Sequence, residues 1–161
     1  MTRPARPGTH SVRSVRILRA FRAVHGFGNY ELELASCLLA KGVEAKRAKE
    51  LIEDTMAKCA FERNVDRANV FALHAFALAS NGLPEQAHIR LHDSFADRER
   101  FRARDQAFLW ITAGATYRAF GERASAHDAF KEAIRIHPFG DARLRAEKWL
   151  RLLADDSQPD S

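Results

Sequence analysis

Apolar residues along this chain recur at helical spacing almost throughout, and no stretch alternates in the two-residue rhythm of a strand. Val12, Val15, Leu18 and Phe21 recur every three residues, with Arg13, Arg16, Arg19 and Arg22 in step beside them. On a helix over 12–25 the two rows give a broad apolar face next to a broad arginine face. His25 to Tyr30, with two glycines and an asparagine, breaks the pattern. Helices are then predicted over about 30–40, stopped by Gly42, and over about 44–59, where Ala45, Ala48, Ile52, Met56 and Cys59 form one stripe. The segment 66–80 is apolar on most sides and is the predicted central, buried helix, ended by Asn81-Gly82. Pro84, in a first turn where its missing N–H costs nothing, opens another helix with Ala87, Leu91 and Phe95 inward. The mixed-charge run Asp97 to Asp105 reads as a solvated helix end and connection. Helices over 106–120 and 123–136 follow, parted by Gly121, and a last one over about 141–154 places Ala146, Trp149, Leu150 and Leu153 on one stripe. The fold class is all-α.

Three of these helix pairs share one grammar: a helix, a glycine, a few polar residues, a second helix. The glycines are Gly42, Gly82 and Gly121, spaced 40 and 39 residues apart. A fixed period with paired helices is the mark of an α-solenoid, because a lone pair cannot bury its apolar face and must stack on its neighbours. In the third unit Trp110 is followed by Ala113, Gly114 and Tyr117, then Gly121, Ala126, Phe130, Ala133 and Pro138. This unit resembles a tetratricopeptide repeat, departing from the family pattern only at Ala113, where leucine is usual. The second unit is similar but degenerate, with Phe71, Ala75, Leu78, Ala87 and Leu91 at the places of Trp110, Gly114, Tyr117, Ala126 and Phe130. Glu99 stands at the place of Pro138, which predicts a longer second helix there. The first unit keeps Ala35, Leu38, Gly42 and Leu51, but puts Arg47 where a small residue is wanted; a shift by one onto Ala48 repairs it.

The resemblance implies a right-handed solenoid of about three helix pairs, with an N-terminal flanking helix and a C-terminal capping helix. It also implies a concave groove lined by the first helix of each pair, able to hold a partner. The groove-facing places would be Asn29, Leu32, Ser36 and Leu39, then Asn69, Ala72, Phe76 and Ala79, then Phe108, Ile111, Ala115 and Arg118. They are mostly apolar or small, which suits an amphipathic helix or an apolar peptide rather than a charged peptide terminus. The expected partner is another protein, a second copy of the chain, or the chain's own 12–25 helix folded back.

Charge changes this picture at one end. The net charge of +5 is uneven: residues 1–30 carry six arginines and no acidic residue, so the remaining chain is close to neutral. Three readings fit the arm: an extra helix packed on the domain, an organellar transit peptide, or an arm for RNA or an anionic membrane surface. The expected organisation is a basic arm over 1–27, a helical domain over 28–154 and a disordered tail over 155–161, with the first eleven residues disordered too. The expected compartment is the cytoplasm, or an organellar matrix if the arm is a transit peptide. Cys37 and Cys59 lie inside helical patterns and are expected to be small buried hydrophobes rather than a disulfide.

Catalytic chemistry finds no constellation, and no enzyme, cofactor or metal is expected. His88 and His92 have the i, i+4 spacing of a metal pair, but no glutamate follows the first and no third ligand is evident. His92-Asp93 and His127-Asp128 are chain neighbours, so on a helix their side chains diverge. Gly26 to Gly28 lacks the lysine and the strand setting of a phosphate loop.

Overall fold

The structure, a computed structural model, describes residues 30–156. The arginine arm (Arg3, Arg6, Arg13, Arg16, Arg19 and Arg22), the helix expected over 12–25 and the end of the tail lie outside the described residues. Seven α-helices make up the described chain: α1 (Tyr30–Ala40), α2 (Ala45–Lys58), α3 (Asn64–Ser80), α4 (Pro84–Ser94), α5 (Ala103–Ala119), α6 (Arg123–Ile136) and α7 (Gly140–Asp155). A single 3-10 turn, Arg98–Arg100, lies between α4 and α5, and there is no strand among the described residues. The helices pack in sequence, α1 on α2, α3 on α4 and α5 on α6, while α3 also lies against α1, α2 and α5. The last helix, α7, packs on both α5 and α6.

One local structure ends α1, α3 and α5 alike. At Gly121 (φ +80°) the amide bonds Arg118 O at 3.0 Å, and the next amide, of Glu122, reaches back to Tyr117 O at 2.9 Å. This is the Schellman arrangement, which needs a left-handed residue and so favours glycine. Gly42 and Gly82 repeat it, with Val43 bonding Leu38 O and Leu83 bonding Leu78 O, each at 3.0 Å. Each turn satisfies carbonyls that the helix end would otherwise leave open and reverses the chain within a few residues. Asn81, beside the second of these glycines, donates to Ala77 O at 2.7 Å and to Ala45 O at 2.9 Å, tying the end of α3 to the start of α2.

α3 is the central helix, as its composition predicts. Ten of its seventeen residues are buried, including the unbroken run from Ala72 to Ala79. Its small residues let neighbours approach: Ala75 shares a cluster with Leu91 of α4 and Ala113 of α5. The α5–α6 pair is closest at Gly114. A Cβ there would stand 2.7 Å from Cδ1 and 2.8 Å from Cζ of Phe130, and closer still to Cε1. Phe130 is fully buried on Ala126, Ala129 and Ala133, a stripe that leaves α5 room for its ring. Burying such a side chain contributes about 1.5–3 kcal/mol.

Some details differ from expectation. α4 ends at Ser94 instead of running on towards Glu99, because the buried Ser94 hydroxyl turns back to Leu91 O at 2.7 Å and Phe95 folds edge-on to Trp110. Ala48, not Arg47, takes the buried place in α2, and Arg47 points outward towards Glu50. Cys59 is exposed at the extended C-cap of α2, while Cys37 is half-buried, and both are free thiols. The last helix runs to Asp155, one residue past the end expected at 154.

Candidate partner-binding face

Of the residues expected to line a groove, Asn29 lies outside the described residues; the others fall on α1, α3 and α5, and most of them are buried: Leu32, Leu39, Ala72, Ile111 and Ala115, with Phe76 at 9% exposure. Phe108 and Arg118 are half-buried. Leu32, Leu39, Phe76 and Ala115 belong to one core cluster spanning α1, α2, α3 and α5. Ala72 sits deeper, with Ala68 and Leu109 between α3 and α5, as the packing of two first helices against each other demands.

What covers the outer part of this face is α7. Ile111 packs in one cluster with Ala142, Ala146 and Leu153. Trp149 inserts where three helices meet: its ring is edge-on to Phe76 (centroids 6.3 Å apart) and stacked parallel to Phe130 (5.9 Å, 7° between planes). Arg118 lies 5.7 Å from the Trp149 ring centre and closes a bidentate pair with Asp156, Nε to Oδ2 at 2.7 Å and Nη2 to Oδ1 at 3.0 Å. At the other end Arg104 donates to Asp141 Oδ2 at 3.0 Å, and both Arg104 and Arg145 lie 5.5 Å from the Phe108 ring centre. The partners run in step along the two helices: Arg104 with Asp141, Phe108 with Arg145, Arg118 with Asp156, always 37 or 38 residues apart. Helices α5 and α7 therefore lie parallel. The same offset separates Ala75 from Ala113 and Ala72 from Leu109, which pack between α3 and α5.

Electrostatics reinforces both ends of the seat. The Arg118 hydrogen bonds hold the Asp156 carboxyl below the usual carboxylate range. Partial burial would raise the Asp141 carboxyl, and the hydrogen bond and charge of Arg104 outweigh it and bring it down. Burial lowers the pKa of the Arg145 guanidinium, which stays charged at neutral pH.

A second polar group, between α2 and α3, escaped sequence reasoning. His74, 6% exposed within the apolar run of α3, sets Nε2 3.2 Å from Glu53 Oε1, and Lys49 Nζ holds the same carboxylate at 2.9 Å. Burial lowers the His74 pKa by more than the Glu53 hydrogen bond raises it. The neutral ring therefore carries its proton on Nε2, facing the carboxylate. Its Nδ1 has no hydrogen-bond partner among the described residues. Burial would raise the Glu53 carboxyl, but Lys49 and His74 together lower it. Nothing in the primary pattern pairs residues 53 and 74, which only the α2–α3 packing brings together.

His88 and His92 are both exposed; His88 stacks on Phe120 at 4.5 Å and lies 3.8 Å from Glu122, while His92 lies 3.9 Å from its neighbour Asp93. Among the described residues no group of three His, Cys, Asp or Glu side chains is placed to hold a metal ion, and no helix is long and apolar enough to cross a membrane. Comparison with protein-family models, with curated proteins and with solved structures found no match.

Proposed function

We propose that this chain is a protein-interaction module of the tetratricopeptide kind: an α-solenoid of three helix pairs with α7 as its cap. Its first helices take an amphipathic helix or apolar segment of a partner protein, without turnover. The observation that carries this reading is the seat of α7, because the face made by α3 and α5, with Phe130 of α6, already holds a helix by an aromatic inserted between rings and an ion pair at each end. The identical glycine turns of α1, α3 and α5 and the Gly114–Phe130 approach support the repeat reading, since each needs the residue type that the repeat pattern supplies at that place.

The test is purification of the full chain with its bound proteins, then measurement of the identified partner against variants of the face. Phe76→Asp and Ile111→Asp are unsuitable because each would bury an unpaired carboxylate and unfold the domain. Phe108→Ala with Arg118→Glu changes half-buried side chains instead. A loss of partner affinity of at least about tenfold in a folded double variant is the expected result. Unchanged affinity refutes the assignment of the face.

A second reading rests on the arm, whose six arginines stand without one acidic residue. It brings the chain to RNA or to an anionic membrane surface, with binding that falls steeply with salt and is lost when residues 1–26 are removed. Salt-insensitive binding by the shortened chain would end that reading.

A further inference from the structure

We propose that α7 is an internal stand-in for the partner. The face of α3 and α5, completed by Phe130 of α6, would recognise an amphipathic helix bearing one aromatic side chain between two acidic ones, and such a helix would displace α7. The inference rests on the reading of that face as the binding surface, and goes further by naming the chemistry of what binds.

Three observations carry it. First, the seat reads α7 at three points in line. Asp141 meets Arg104, Trp149 enters between Phe76 and Phe130, and Asp156 meets Arg118. Asp141 lies eight residues before Trp149 and Asp156 seven after it, so all three fall on one side of a helix, about two turns apart. Charge complementarity at both ends sets the register of whatever lies there, with an acidic residue about two turns to either side of the aromatic. Second, α7 is shallowly held. Only three of its sixteen residues are buried, and two of those are alanines, against seven of seventeen in α5 and ten of seventeen in α3. An element with so little buried apolar area opens at lower free energy than the rest of the domain. Third, α3 and α5 pack against each other and against α4 in clusters that hold no residue of α7, while Phe130 of α6 packs on Trp149 and loses that contact when α7 leaves. The α3–α5 side of the seat therefore keeps its packing when its occupant leaves.

Because α7 is joined to α6 by only His137, Pro138 and Phe139, its effective concentration at the seat is high, and a free helix competes against it. Weakening α7 should therefore strengthen binding of an external helix. The experiment uses the full chain and a fluorescein-labelled peptide with the sequence of residues 139–156. Asp141→Arg with Asp156→Arg places like charges opposite Arg104 and Arg118; both positions are partly exposed, so the fold is kept, and Asp156→Arg alone is the milder variant. The peptide is expected to bind the double variant about tenfold more tightly than the wild type, as the loss of two partly exposed ion pairs allows. The same peptide carrying Trp149→Ala is expected not to bind. Equal affinity for wild type and folded variants, no binding to any of them, or indifference to the tryptophan each overturns the proposal. These failures leave the copurification test untouched, so the two readings fall separately.

Discussion

Gly114→Ala should destabilise this protein, although alanine in place of glycine normally strengthens a helix by about 1 kcal/mol. The position lies well inside α5 and is buried, so the propensity gain applies in full. Against it stands the added methyl, 2.7 and 2.8 Å from two ring carbons of Phe130 and nearer to a third. Carbon atoms rest at about 3.5–4.0 Å, so the ring must retreat by roughly 1 Å. It has little room to do so: Phe130 is fully buried and lies parallel to Trp149, which is itself edge-on to Phe76. Overpacking of this kind costs about 1–3 kcal/mol, and the immobile ring places this case in the upper half of that range. The net effect is a loss of about 1–2 kcal/mol. For a chain of this size that lowers Tm by roughly 2–8 °C. Urea unfolding followed by far-ultraviolet circular dichroism, with calorimetry alongside, measures it. Phe130→Leu in the same chain vacates the space, so the two changes together should cost less than the sum of the singles. A Gly114→Ala variant as stable as wild type, or more so, refutes the close approach of α5 and α6.

Three further outcomes follow from the same packing. Trp149→Ala should cost about 2–4 kcal/mol, somewhat under the range for a fully buried aromatic because this one is half-buried, and should reduce helicity as α7 frays; unchanged helicity and stability would contradict its insertion between Phe76 and Phe130. Gly121→Ala forces an L side chain to φ +80° and should cost about 1 kcal/mol, whereas D-alanine introduced by chemical ligation should cost nothing; equal effects of the two would contradict the left-handed turn. His74 has a depressed pKa in the folded state, so its neutral form contributes stability that is complete above its unfolded value, about 6.5, and is lost as pH falls below it. Glu53 is depressed as well, but its contribution is lost only in the lower carboxylate range. Between pH 7 and pH 5 the wild type should therefore lose more stability than His74→Leu, and parallel curves for the two would refute the buried neutral histidine.

Local chemistry determined much of this architecture without reference to tertiary contacts. Gly42, Gly82 and Gly121 are readable as helix ends because a left-handed residue followed by a polar stretch is a nearest-neighbour requirement. The stripe Ala126, Ala129, Phe130 and Ala133 is readable as an inner face because helical periodicity links residues three and four apart. The stripe of Ala146, Trp149 and Leu153 was legible in the same way, but what it faces was not. That depended on how α7 leaves the Pro138 turn and which ridge of α5 it meets, and no local rule ranks those alternatives. The pairs Arg104–Asp141, Arg118–Asp156 and Glu53–His74 lie 37, 38 and 21 residues apart, separations at which any basic side chain has several acidic residues to choose from. Gly114 lies between the two regimes: the repeat pattern pairs it with Phe130 of the next helix, and only the structure sets how close the ring comes. Helix propensity and turn geometry are short-range and therefore written in the chain, whereas the covering of the face by the last helix is a choice among distant partners, settled by shape and charge once the helices have packed.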